Sequence, residues 1–235
     1  ACAGYVVGLM QSFMLLEHME GKKVLLCTGE TFCRGNKEKQ EPPYYRAPFG
    51  GDAANITIVE NAGNEKVYYE FHQDGSQRKC LVIPDGAFRN PMTVEQIQNQ
   101  IVRMPLTGVV MDGSTVFNFA QKEVPILVDS LTKMAETTKE DIDWFLFHQP
   151  NKFMLQKLAE RIGVPFEKMP MDIVEKFGNS NSATIPTAIT ADLKEEMLNK
   201  ESLCCLAGFG AGVAWAGIIM KMGNMDFCDT IISDL

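Results

Sequence analysis

The 235-residue chain carries a net charge of −8, with 22% charged residues. That balance excludes a surface-wide nucleic-acid partner, and no apolar run reaches the ~20 residues of a membrane-spanning helix. Its seven cysteines are scattered, several inside apolar runs (Cys27, Cys204, Cys205), and no C-x-x-C or H-x-x-x-H spacing offers a metal site, which fits reduced thiols in a cytoplasmic protein.

The elements follow in chain order. Cys2-Ala3-Gly4 opens an apolar stretch over Tyr5–Met19 that reads as a helix, and its glutamates and lack of a basic start exclude a signal peptide. After Gly21-Lys22-Lys23, Val24–Cys27 reads as a buried strand, followed by the glycine-rich Phe49-Gly50-Gly51-Asp52. Residues 75–105 carry Pro84-Asp85-Gly86, Asn90-Pro91 and Met104-Pro105, punctuation that breaks helix and strand. Then come a helix pattern over Gly113–Met134, a strand at Ile142–Phe147 and a helix over Lys152–Ile162. A polar loop follows, Gly178-Asn179-Ser180-Asn181-Ser182, with a helix over Ile185–Leu198, a strand at Leu203–Leu206 and a second glycine-rich segment, Phe209-Gly210-Ala211-Gly212.

The beginning and the end of this order match. Loop, helix, short turn, buried strand and glycine-rich segment occur twice, offset by 203 − 24 = 179 residues between Val24 and Leu203. Such a succession in one order points to a duplicated α/β unit with layered helix–sheet packing and two polar loops meeting at a pseudo-twofold axis. Applied to Cys2, the offset lands on Asn181. The division expected is 1–75 for the end of the first half, 76–105 for connecting loops on the substrate side, and 106–235 for the second half. The second copy has a strand and two helices ahead of its loop that the first lacks. The first unit is therefore expected to be incomplete, with roughly 70 or more residues ahead of Ala1, since duplicated units tend to match in size. Without them a helix at residue 3 leaves an apolar face uncovered.

Three polar residues sit at element boundaries. Cys2 starts an apolar helix, where the dipole and free N–H groups favour a thiolate. His148 follows a strand, at the end where α/β proteins carry reactive side chains. Asn179 lies in the polar loop before a helix. Each alone has a plainer reading: a core thiol, a hydrogen-bonded structural histidine, a turn or cap residue. Together, cysteine, histidine and asparagine make a nucleophile with partners that polarise a carbonyl. His18, near Glu17 and Glu20, reads as a solvated surface residue, and His72, beside Asp74-Gly75, shows no partner.

Ala1-Cys2-Ala3-Gly4, Phe49-Gly50-Gly51-Asp52-Ala53-Ala54 (FGDGAGA with Gly and Asp exchanged), Asp74-Gly75-Ser76, Ile83-Pro84-Asp85-Gly86, Met111-Asp112-Gly113 through Phe117 (MxGxxVF), His148-Gln149-Pro150-Asn151 (HQAN), Gly178-Asn179-Ser180 through Pro186 (GNTSAASVP), and Phe209-Gly210-Ala211-Gly212 with Trp215 (FGGGxxW) succeed one another. In that order and spacing the chain resembles β-ketoacyl-acyl-carrier-protein synthase III, of the thiolase superfamily, over essentially its whole length.

The resemblance implies a thiolase-like fold and a fatty-acid-type condensing enzyme, an acyltransferase. Cys2 takes an acyl group from acyl-CoA, and the backbone N–H groups of Cys2 and Ala211 form the oxyanion hole. Neutral His148 and Asn179 then hold the carbonyl of a malonyl thioester on acyl carrier protein during decarboxylation. Met111, Gly113, Phe117 and Asn151 match positions lining the family's pantetheine tunnel. The resemblance also implies a homodimer, no cofactor beyond these substrates, and no metal. Two departures stand out. Phe153 occupies the place of the arginine in HQANxR that docks the carrier, leaving Lys157 and Arg161 as substitutes, and Ala211 replaces a glycine of FGGG. The alternatives are a chalcone-synthase-like enzyme, an acyltransferase without decarboxylation, and a non-catalytic partner subunit.

Overall fold

A computed structural model of the chain describes residues 1–31, 50–61, 65–84, 88, 90–91, 93–95, 98 and 110–233. Phe49, Asp85, Gly86 and much of the loop expected over 75–105 lie outside the described residues.

Helix α1 spans Gly4–Leu16 and leads into strand β1, Lys23–Thr31. Strand β2, Asp52–Glu60, pairs antiparallel with β1. Strand β3, Tyr68–Gln73, follows, and the short strands β4, Leu81–Val82, and β5, Val110–Met111, pair with each other. Helix α2 covers Gly113–Met134, strand β6 Trp144–Phe147 and helix α3 Lys152–Ile162. A short helix α4, Ile173–Phe177, precedes the polar loop. Helices α5, Thr184–Asp192, and α6, Lys194–Asn199, then lead to strands β7, Ser202–Gly210, and β8, Ala214–Met222.

The main sheet runs β3-β8-β7-β6, with β6 and β7 parallel. Side chains on a strand alternate between faces, and β7 separates two cores by that alternation. Cys205, Ala207 and Phe209 pack with Leu127, Leu131, Leu155 and Leu158 of α2 and α3. Cys204 and Leu206 pack with Tyr5, Val6 and Leu9 of α1 and with Ile185 and Ile189 of α5. The second core is closed by β1 and β2, which contribute Leu26 and Val59. The layers are thus α2/α3, the four-stranded sheet, α1/α5, and the β1–β2 pair. α1 buries Tyr5, Val6, Leu9 and Leu16, while Met14 and Leu15 near its end stay exposed. The outer face of β1 and β2 is also open, with Leu25, Ile56 and Ile58 exposed.

The duplication is visible in the coordinates. β1 and β7 are both nine residues long, and their starts differ by 202 − 23 = 179. Each is followed by an antiparallel nine-residue partner, β2 or β8. Two details differ from the sequence reading. The helix expected over Ile185–Leu198 breaks at Leu193, which leaves helical geometry (φ −123°) with its side chain in the core. Strand β3, inside the span assigned to the first half, joins the second half's sheet by pairing with β8. His72, on β3, has partners after all: its ring stacks on Trp215 at 5.2 Å, and Nε2 lies 2.9 Å from Glu70 Oε2.

The two repeats touch where the first glycine-rich segment meets the polar loop. Gly51 donates its N–H to Asn179 O at 3.1 Å. A Cβ on Gly178 (φ +70°) would lie 2.2 Å from Gly50 O, and one on Gly51 would lie 2.0 Å from Phe177 O. Backbone on both sides leaves nothing flexible to yield. Gly178→Ala is therefore expected to destabilise the fold by about 1–3 kcal/mol or more, from overlap and from a left-handed φ that alanine resists. Denaturant unfolding measures it, and an unchanged midpoint is the contrary result.

Candidate active site

Cys2 sits two residues ahead of α1, 8% exposed. It can approach β7 only because the strand has glycines there: a Cβ on Gly210 would fall 2.6 Å from Cys2 Sγ, and one on Gly208 would fall 2.7 Å from Ala3 Cα. Burial pushes the thiol above its usual pKa. The backbone N–H groups of Ala211 and Cys2 pull the other way. Ala211 lies in the turn between β7 and β8. Burial outweighs these N–H groups, so Cys2 rests as a neutral thiol.

His148 follows β6. Its N–H donates to Ala207 O at 2.8 Å, which carries the β6–β7 pairing one residue further and sets the ring at the sheet's end. The ring is 2% exposed and meets the edge of Phe209 at 5.6 Å. Burial holds its pKa down to about 3, so the imidazole is neutral. Nδ1 lies 2.9 Å from Thr184 Oγ1. The following turn is fixed by Gln149, whose Nε2 donates to Phe147 O and to Pro170 O, each at 2.9 Å.

Asn179 is half-buried, and its Oδ1 accepts the Asn181 N–H at 2.9 Å. With the oxygen engaged inside the loop, the amide nitrogen is the end left to donate. Asn181 is at φ +46°, a conformation that asparagine tolerates better than most residues. Its Oδ1 lies 3.5 Å from Cys2 Sγ, and its carbonyl accepts from Thr184 Oγ1 at 2.8 Å. The loop is tied to the first repeat at Asn55, whose Nδ2 donates to Ala183 O at 3.2 Å. Cys2, His148 and Asn179 are thus joined through one short segment, residues 179–184. Sequence reasoning missed Asn181 and Thr184 as members of the site, although the 179-residue offset had paired Asn181 with Cys2.

A family model described as 3-oxoacyl-[acyl-carrier-protein (ACP)] synthase III C terminal matches residues 132–222, the stretch carrying His148, Asn179 and Ala211. A β-ketoacyl-[acyl-carrier-protein] synthase III from Synechocystis sp. is 30% identical over 94% of this chain and 65% of its own length. A crystal structure of a 3-oxoacyl-(acyl-carrier protein) synthase from Burkholderia xenovorans superposes with a TM-score of 0.83 at 31% identity, over 99% of this chain and 65% of that one. In its fold and over residues 132–222 the chain is similar to β-ketoacyl-acyl-carrier-protein synthase III proteins. A putative 3-oxoacyl-[acyl-carrier-protein] synthase 3 from Campylobacter jejuni is 29% identical over 96% of this chain and 63% of its own length. The chain spans slightly under two thirds of the synthase III relatives it matches. As a thiolase-superfamily fold, it has the layered, duplicated architecture described above.

The remaining expected positions are more exposed. Met111 is 64% exposed, and Phe117 stacks on Phe153 with ring centroids 5.9 Å apart. Asn151 caps α3, its Oδ1 accepting from Met154 N at 2.8 Å. Lys152 pairs with Asp172 at 2.7 Å, and Lys157 pairs with Glu160 at 2.6 Å on its own helix, while Arg161 is exposed. Among the described residues no group of three or more His, Cys, Asp or Glu could hold a metal ion, and no helix is long and apolar enough to cross a membrane.

Proposed function

We propose that the protein is a condensing enzyme that passes an acyl group from acyl-CoA to Cys2 and joins it to malonyl-acyl-carrier protein with loss of carbon dioxide. What carries the reading is the placement of Cys2, a neutral His148 and Asn179 around one segment, residues 179–184, with the Asn179 amide nitrogen the end left to donate. Sγ attacks the thioester carbonyl, and the oxyanion is held by the Cys2 and Ala211 N–H groups. Collapse breaks the carbon–sulfur bond to coenzyme A, whose thiol leaves with the proton that Cys2 gave up. The malonyl thioester then loses carbon dioxide. The electron pair becomes an enolate, its oxygen held by His148 Nε2–H and the Asn179 amide. The enolate carbon attacks the acyl group, and Cys2 departs as thiolate and is reprotonated.

This reading needs a proton on His148 Nε2. The Thr184 hydroxyl has one proton and two acceptors in reach, His148 Nδ1 and Asn181 O. For Nε2 to carry the imidazole proton, the Thr184 hydroxyl must turn from Asn181 O to donate to Nδ1, because the bond at one ring nitrogen sets the state of the other. Thr184→Val removes that donor while keeping the shape. It is expected to slow decarboxylation by roughly 10–100-fold, the range for losing the partner that orients a functional imidazole, and to leave acylation of Cys2 nearly unchanged. Equal loss of both steps contradicts the assignment.

The substrates of this reading double as its small-molecule needs, with no resident cofactor. Its partners are acyl carrier protein and a second copy in a homodimer, in the cytoplasm. Lys157 is paired on its own helix and Phe153 offers an exposed ring, so carrier docking rests less on free positive charge than HQANxR provides. Incubation with a panel of acyl-CoAs and intact-mass measurement tests the first step: one added acyl group for some member of the panel supports it, and no adduct with any member removes it.

A further inference from the structure

Asn181 occupies in the second repeat the place that Cys2 occupies in the first, since 181 − 2 = 179. Across the pseudo-twofold axis the two meet, with the thiol donating to Asn181 Oδ1 at 3.5 Å. Three of the four polar groups of Asn181 are engaged at the site: the side-chain oxygen with Cys2, the carbonyl with Thr184, and the N–H with Asn179. Asn181 is at φ +46°. A glycine there meets the backbone demand equally well, so the turn alone does not require a carboxamide.

We propose that Asn181 is a positioning residue whose carboxamide oxygen takes the Cys2 thiol hydrogen and holds Sγ beside the Ala211 and Cys2 N–H groups until the thiol ionises. The residue acts through Cys2 and needs no contact with substrate. An acceptor that holds the S–H favours the neutral thiol. Replacing it therefore moves ionisation in a direction set by what replaces it. A further charged group acting on Cys2 is Glu30 of β1, which Ser182 Oγ approaches at 3.5 Å; His148 is neutral in the same pocket.

The test is the pH profile of Cys2 alkylation by iodoacetamide, read on the Cys2 peptide by mass spectrometry, with exposed Cys27 as internal reference. Asn181→Gly keeps the left-handed turn and is expected to move the Cys2 midpoint down by about half to one pH unit. Asn181→Asp, with a charge at the same place, is expected to move it up by about one unit. Profiles that coincide with the parent, or that move the same way in both variants, overturn the proposal. Acylation supplies a second readout, and this one rests on the function proposed above. Asn181→Gly is expected to acylate from acyl-CoA about tenfold or more slowly, because Sγ is no longer held in line, and an unchanged rate overturns the positioning role. If the unmodified protein takes no acyl group from any acyl-CoA, the proposed function fails while the alkylation profiles still decide the role of Asn181.

Discussion

Cys2→Ala is expected to abolish acyl-enzyme formation altogether while the fold persists. The other described cysteines do not share its setting. Cys204 and Cys205 are sealed in the main sheet, where burial pushes Cys204 up to about 12 and Cys205 higher still. Cys80 and Cys228 are buried away from the loop, and Cys27 is exposed on β1. Cys2 alone among them has a hydrogen bond from its thiol to the polar loop, at Asn181 Oδ1. The substitution removes one sulfur atom from a site walled by Gly210 and Asn181, so stability should change little. Intact mass after acyl-CoA treatment should show one adduct in the parent and none in the variant. A persistent adduct mapped to Cys27, Cys80 or Cys204 contradicts the assignment.

The second large effect is expected from His148→Ala and Asn179→Ala. Each should leave acylation of Cys2 largely intact and slow decarboxylation by ~10²-fold or more, the usual scale for losing one oxyanion donor. The pKa of His148 gives this a pH signature. With a value of about 3, the imidazole is neutral across the working range. The decarboxylation step should therefore show no loss attributable to His148 between pH 5 and pH 8. Protonation would leave Nε2–H in place but put a charge in a buried pocket, so the falling limb belongs near pH 3. Loss of acylation with decarboxylation preserved would reverse the two roles. A falling limb centred near pH 6.5 would mean that the ring is not buried as described.

Much of this was readable from residues alone, for physical reasons that differ by element. α2 and α3 are amphipathic, and each begins at a residue whose side chain caps it, Asp112 and Asn151, so period and punctuation agreed. β7 is buried along nearly its whole length and reads as a continuous apolar run. β3 was not read as a strand. Tyr68–Gln73 sits on the edge of the sheet with little burial, and its pairing with β8 spans some 150 residues of chain, which no local pattern encodes. The break at Leu193 was equally silent, because the residues on either side of it are ordinary helix formers. At the site, Cys2, His148 and Asn179 stand at element ends and were visible as such. Asn181 and Thr184 act through atoms that only the folded loop brings to Cys2 Sγ and His148 Nδ1. Asparagine at the offset position was the one trace of them in the sequence.

The central claim is that one site both acylates Cys2 and drives condensation through loss of carbon dioxide. The most direct measurement loads Cys2 with an acyl group, adds malonyl-acyl-carrier protein carrying an isotopic label in its free carboxylate, and follows labelled carbon dioxide and carrier-bound product together. The account predicts one carbon dioxide per β-ketoacyl product, with Cys2 returning to its unmodified mass. An acyl group that leaves Cys2 for an amine or hydroxyl without labelled carbon dioxide would mean an acyltransferase without condensation and would contradict the account.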